Sequence, residues 1–308
     1  MVEHSTIMGA MNATDVLAAD TAMEAVTLYV RDLDLMTRYY RDVVTLEVLD
    51  VPAPLEHQGS ARAASVTLGR GGVPVVVLRH TPDLPPANPG QAGLFHTAIL
   101  FDTQSALAAA VASIAQKAPS SFTGSADHLV SEAFYFTDPE GNGIELYWDR
   151  SRSLWKREGD QILMDTLYLD PNQYLAEHLT ESGLENPLAE GETVVGHVHL
   201  QVGDIPTAQK FYVDALGFET TFLWHGALFV SAGGYHHHMA MNTWNSRGAG
   251  PRASTLGLGE VAIQVPTADD LAALRSRLDF HGVTQRDDGQ TLAFEDPWKN
   301  LIRVTSAA

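Results

Sequence analysis

The chain repeats itself, and that internal repeat limits its possible folds more than any other feature. Val26-Thr-Leu-Tyr-Val-Arg-Asp32 followed by Tyr39-Tyr40-Arg41-Asp42 returns as Val198-His-Leu-Gln-Val-Gly-Asp204 followed by Phe211-Tyr212-Val213-Asp214, at one constant offset. Gly93-Leu-Phe-His96 with Thr103 and Leu107 returns as Gly257-Leu-Gly-Glu260 with Thr267 and Leu271. Asp138-Pro139 with Asn142 returns as Asp296-Pro297 with Asn300. Each unit reads as a strand, an Asp or Thr that starts a helix, the helix, then three strands. A βαβββ unit is too small to close its own sheet, so two must pair into a barrel-like cup. The expected fold is therefore α+β, with four βαβββ modules near residues 22–80, 92–149, 194–245 and 256–305.

The modules divide the chain further. Residues 1–21 read as an irregular or disordered N-terminal arm. Residues 22–149 form the N-terminal half and 193–308 the C-terminal half. Between them, 150–192 read as a connector with one or two short helices, interrupted by Pro171 and Pro187.

Composition narrows the function classes. The 308 residues carry 38 Asp and Glu against 19 Lys and Arg, a formal charge of −19, which argues against nucleic acid and anionic membrane as partners. No apolar run approaches the roughly 18 residues that a membrane helix needs, and no secretory signal is legible, so a cytoplasmic location is expected. With no Cys in the chain, metal ligands must be His or carboxylate.

One stretch carries chemistry. Phe134–Thr137 reads as a short buried strand, Asp138–Gly143 as a turn, and Ile144–Trp148 as a second strand. Glu145 then lies inside an apolar strand, where a bare carboxylate is costly to desolvate. A cation, a metal or a proton must compensate it.

The same stretch resembles the signature of the type I extradiol ring-cleavage dioxygenases, within the vicinal-oxygen-chelate (glyoxalase/bleomycin-resistance) superfamily. The matching elements are His128, Phe134-Tyr135, Asp138-Pro139-Glu140-Gly141 and Glu145, with Ala126 as a departure. Over the chain from about residue 22, the pattern is most similar to the bacillus-type catechol-2,3-dioxygenase subfamily. In that superfamily the first and last strands of paired modules carry metal ligands into the cup. Counting back from the helix starts Asp32, Thr103, Asp204 and Thr267 puts Ala25, His96, His197 and Glu260 in the first-strand slot. The last-strand slot holds Glu145 in the second module and Arg303 in the fourth.

The second and third modules thus supply His96, His197 and Glu145, the donor set of a two-His, one-carboxylate Fe(II) site, with Mn(II) as the other candidate. The second module is expected to pair with the third and the first with the fourth, whose Glu260 and Arg303 should form a buried ion pair in a metal-free cup. His197 and His199 face the same side of one strand, so a shift of one pleat would exchange them as ligand.

The resemblance implies further roles. His238 is expected as the acid–base catalyst, with His237 as runner-up. Tyr135 should hydrogen-bond the substrate and His128 contact substrate or oxygen. His199, His237 and Trp244 are expected along the substrate pocket. The reaction implied is extradiol (meta) cleavage of catechol or a related aromatic diol by O₂, giving a 2-hydroxymuconic semialdehyde-type product, in a homo-oligomer. Two rivals share the fold: a glyoxalase-like metal-dependent lyase or isomerase, and a non-catalytic aromatic- or drug-binding protein.

Overall fold

Every module begins by handing a buried strand to a capped helix. Asp32, Thr103, Asp204 and Thr267 each accept a hydrogen bond from the backbone N–H three residues on, those of Leu35, Ala106, Thr207 and Asp270. Such caps satisfy donors that a helix start leaves open. The four helices follow as Leu33–Arg38, Gln104–Lys117, Ile205–Gln209 and Ala268–Phe280. The first and third widen into π-helical turns at Tyr39–Val43 and Lys210–Ala215.

These elements come from a computed structural model, which describes residues 16–51, 63–159 and 161–307. Its two large sheets pair the modules across the chain. In one, Val26–Val30 of the first module lies antiparallel to Gly257–Val265 of the fourth. In the other, Gly93–Phe101 of the second lies antiparallel to Thr193–Gln201 of the third. Within a module the first strand runs parallel to the last, as Gly93–Phe101 does to Gly143–Asp149. Each sheet curls into a half-barrel, in the α+β pairing that slot counting anticipates.

The repeated Asp-Pro turns knit the two sheets together. Asp138 accepts from the backbone N–H groups of Glu140 and Asn142, from Asn142 Nδ2, and from the Tyr40 hydroxyl of the first module at 3.0 Å. Asp296 repeats this pattern with Trp298, Asn300 and the Tyr212 hydroxyl at 2.8 Å. All four turn and tyrosine side chains are buried. A buried carboxylate with that many donors is satisfied without a counter-charge. The Tyr and Asp that recur in the sequence are thus the two ends of one link.

Of the N-terminal arm, residues 1–15 lie outside the described residues. Leu17 is not loose: it is buried, and its N–H donates to the Gly217 carbonyl at 2.8 Å. The segment 150–192 contains the short helices Pro171–His178 and Glu181–Glu185. Among the described residues, no helix is long and apolar enough to cross a membrane.

Candidate metal centre and cavity

Three buried donors meet at the inner face of the second sheet. Strand pairing explains why. Ala98 sits between Glu145, its parallel partner, and His197, its antiparallel partner, while His96 lies directly opposite His199. Paired residues share a face of a sheet, so all four ionisable groups point into the cup beside the small Ala98 methyl. Glu145 Oε2 lies 2.9 Å from His96 Nε2 and 3.2 Å from His197 Nε2. One donor atom from each residue falls within 4.8 Å of the others.

The donors fit a divalent metal. His96 Nε2 is buried and, despite its distance to Glu145, lacks the geometry of a hydrogen bond. An orphaned imidazole nitrogen converging with a second imidazole and a carboxylate is what an ion would satisfy. Burial pushes the His197 imidazole down to about 4 against the opposing pull of Glu145, leaving it neutral with a lone pair to give. The slot equivalent to Glu145 in the third module is Ala240, paired with His199, and it offers no donor. The described residues therefore offer three candidate donors here, short of the four that would close a site.

Gly196 makes this geometry possible. The strand register slips between Val195 and His197, with Gly196 as the extra residue of a bulge. A Cβ there would fall 1.6 Å from the Tyr147 hydroxyl oxygen. Gly196→Ala should therefore displace Tyr147 and His197 together. We expect a loss of about 1–3 kcal/mol in chemical denaturation, as for other overpacked cores, with weakened metal uptake.

The other cup holds an ion pair instead. Arg303 Nε donates to Glu260 Oε1 at 2.8 Å, and Nη1 reaches Glu24 at 3.4 Å. The pair stands where the sequence placed it, yet it is only partly buried, and Glu24 joins as an unforeseen third member. Arg303 is paired in register with Ala262, as Glu145 is with Ala98.

A cavity of about 450 Å³ opens over the three donors, well within the usual size of small-molecule sites. Its floor is His96, Glu145 and His197, and Phe95, Phe222, Phe229 and Trp244 form apolar wall. Tyr135 and His128 stand together on one side. His128 Nδ1 lies 2.7 Å from the Asp165 carbonyl, which can only accept, so that nitrogen carries the proton. Nε2 then accepts from the Tyr135 hydroxyl at 2.6 Å. Burial, reinforced by the Glu145 charge, holds the Tyr135 phenol well above its ordinary range, so it stays protonated.

His199 lines the same cavity, where its Nε2 accepts from Asn242 Nδ2 at 3.0 Å, and it makes no contact with Glu145 like that of His197. Trp244 lies at the mouth, 48% exposed, with its ring 5.5 Å from that of His199.

The two candidate rings of the histidine run face different ways. His237, and not His238, lines the cavity. His238 turns the other way, with Nδ1 accepting from the Ala232 N–H at 3.2 Å and lying 3.0 Å from Ser231 Oγ. The physical reason is the break in alternation before this strand. Gly233 and Gly234 both take positive φ, 63° and 69°, and regular pairing resumes only at Met239.

Two further groups of cavity residues were not anticipated. Met164, Asp165 and Thr166 of the connector line the cavity from a segment without periodicity. His236 also lines it and is bonded to Asp149. That contact had a signal, because Glu145, Tyr147 and Asp149 alternate onto one face of a single strand.

Fold and donors together define a protein of paired βαβββ modules with a candidate metal centre of three donors in one cup and an ion pair in the other. The chain belongs to the Glyoxalase/Bleomycin resistance protein/Dioxygenase superfamily, whose family model matches residues 22–146 and 194–304. It is 33% identical over 285 residues to the catechol-2,3-dioxygenase of Bacillus subtilis (strain 168), covering 90% of this chain and 94% of that one. Solved structures share the fold. One from Bacillus subtilis subsp. subtilis str. 168 aligns with a TM-score of 0.61 at 13% identity, over 94% of this chain and 86% of its own. Glyoxalase I from Zea mays aligns at 0.55 and 16% identity, over 93% and 92%.

Proposed function

We propose that the protein is a metal-dependent extradiol dioxygenase that cleaves catechol or a related aromatic diol with O₂, giving a 2-hydroxymuconic semialdehyde-type product. The observation that carries this reading is the meeting of His96, Glu145 and His197 at the floor of an apolar cavity. A site completed by four protein ligands, as a glyoxalase-like lyase would use, finds Ala240 in the fourth slot. A plain binding protein has no use for three converging buried donors.

His96, His197 and Glu145 would hold Fe(II), with Mn(II) as the alternative that the same donors accept. The metal would supply a Lewis-acidic point for the diol oxygens and a one-electron couple for O₂. One carboxylate and two neutral imidazoles leave a divalent ion with a single positive charge, which a diol monoanion matches in an apolar cup. His237, whose ring lines the cavity, would take the diol proton and return one to the leaving oxygen atom, the role sequence reasoning gave first to its neighbour. Tyr135, its hydroxyl directed by His128, is placed to hold a ring oxygen as it becomes a carbonyl. Phe95, Phe229 and Trp244 exclude water from the ring face.

The test is oxygen consumption by protein loaded anaerobically with Fe(II), or separately with Mn(II), and then mixed with catechol. Stoichiometric uptake with a rise in near-visible absorbance from a ring-opened product supports the proposal. No uptake with catechol or any alkyl- or aryl-substituted diol would refute it.

A further inference from the structure

A hydrogen-bonded chain runs away from the cavity behind His237. His237 Nδ1 lies 2.8 Å from His236 Nδ1, and His236 Nε2 lies 3.0 Å from Asp149 Oδ1. The other carboxylate oxygen, Oδ2, accepts from the Tyr235 hydroxyl at 2.7 Å, and the Tyr147 hydroxyl lies 2.7 Å from that of Tyr235. His236, Tyr235 and Tyr147 are all buried, and His236 is 1% exposed. None of these groups is needed to complete the metal centre.

Proton counting orders the chain. A carboxylate only accepts, so His236 must carry its proton on Nε2 to bond Asp149. The Nδ1 of a neutral His236 is then a bare acceptor, and His237 must donate to it from its own Nδ1. That leaves His237 Nε2 without a proton, on a ring that lines the cavity. We propose that Asp149, acting through His236, fixes the tautomer and orientation of His237 so that its Nε2 is the base presented to the bound diol. Asp149 and His236 are positioning residues, because neither the carboxylate nor the His236 proton has to touch the reacting atoms. The logic is that of a carboxylate–imidazole–nucleophile relay, extended by one imidazole. Tyr235 and Tyr147 hold the carboxylate in place from the opposite side. The inference rests on the dioxygenase reading for the identity of the substrate, and on the hydrogen bonds alone for the tautomer.

Two measurements test it. Nitrogen-15 NMR of the histidine rings, on the full chain loaded with diamagnetic zinc, should show His237 protonated at Nδ1 and bare at Nε2. Asp149→Asn can turn its amide N–H toward His236, which reverses both bonds and moves the His237 proton to Nε2. In the iron-loaded enzyme this variant should lose on the order of 10²-fold in kcat, with KM and bound metal unchanged. His236→Gln, which breaks the link at its middle, should lose a similar factor and keep its metal. A wild-type His237 protonated at Nε2, or either variant turning over at the wild-type rate, would overturn the inference. Should wild type cleave no diol, the proposed function falls, and the NMR tautomer still decides whether Asp149 and His236 position His237.

Discussion

Glu145→Gln should leave the protein folded and without stoichiometric metal. The substitution keeps the volume of a side chain that is 3% exposed and removes the one carboxylate among the three converging donors. Two neutral imidazoles cannot offset a divalent charge in so dry a site, and an amide oxygen is a weaker ligand than a carboxylate. Losing a group that merely supports a ligand typically costs about 10–100-fold in metal affinity. Loss of the charged ligand itself should exceed that, and turnover should vanish with the metal. The fold should tolerate the change, since a Gln remains able to bond His96 or His197. Metal content per chain by elemental analysis, beside circular dichroism of the same samples, gives the answer. One iron per chain retained in the Gln variant would mean that the ligand set is wrong.

The second large effect separates two neighbouring histidines. His237→Gln should lower kcat by about 10²–10⁴-fold while metal content stays at one per chain, the range expected when a proton-transfer group is lost. His238→Gln should change kcat by no more than a few-fold and act on stability instead. Its imidazole is pushed down to about 3, first by burial and then by His236, so in the folded protein it is a neutral acceptor for the Ala232 N–H. Removing that acceptor strands a buried N–H, at a cost of about 1–3 kcal/mol unless the new amide oxygen replaces it. The same residue sets a sign for pH. Above its unfolded value of about 6.5 the imidazole is neutral in both states. As pH falls from there toward 3, the unfolded chain binds a proton that the folded chain refuses, and stability drops. His238→Gln should remove this part of the acid sensitivity, seen as a shallower fall in the denaturation midpoint between pH 6 and 4. A His238 variant that folds normally but loses turnover as His237→Gln does would return the catalytic role to His238.

Much of this was legible in the residues, for specific reasons. The helix starts at Asp32, Thr103, Asp204 and Thr267 and the turns at Asp138 and Asp296 are fixed by local hydrogen bonding, which leaves a signature at constant spacing. Ligand slots could be counted from them because a regular strand keeps its phase. The resemblance points to His238, whereas the ring that lines the cavity is that of its neighbour His237, a choice that a run of three histidines does not settle. Met164–Thr166 reach the cavity from a segment whose path depends on tertiary contacts, such as the Asp127–Leu167 backbone pair, and no period announces them. Glu24 escaped notice because it joins the Arg303 pair from outside the repeat-aligned slots.

The crossed pairing of modules has a consequence for how such a chain is made. A ribosome releases the first two modules with the open edges of Val26–Val30 and Gly93–Phe101 facing no partner, because both partners, Thr193–Gln201 and Gly257–Val265, lie beyond residue 192. Neither cup can close until late in synthesis, and the nascent half must stay soluble meanwhile, a burden borne by slow-folding chains with distant contacts.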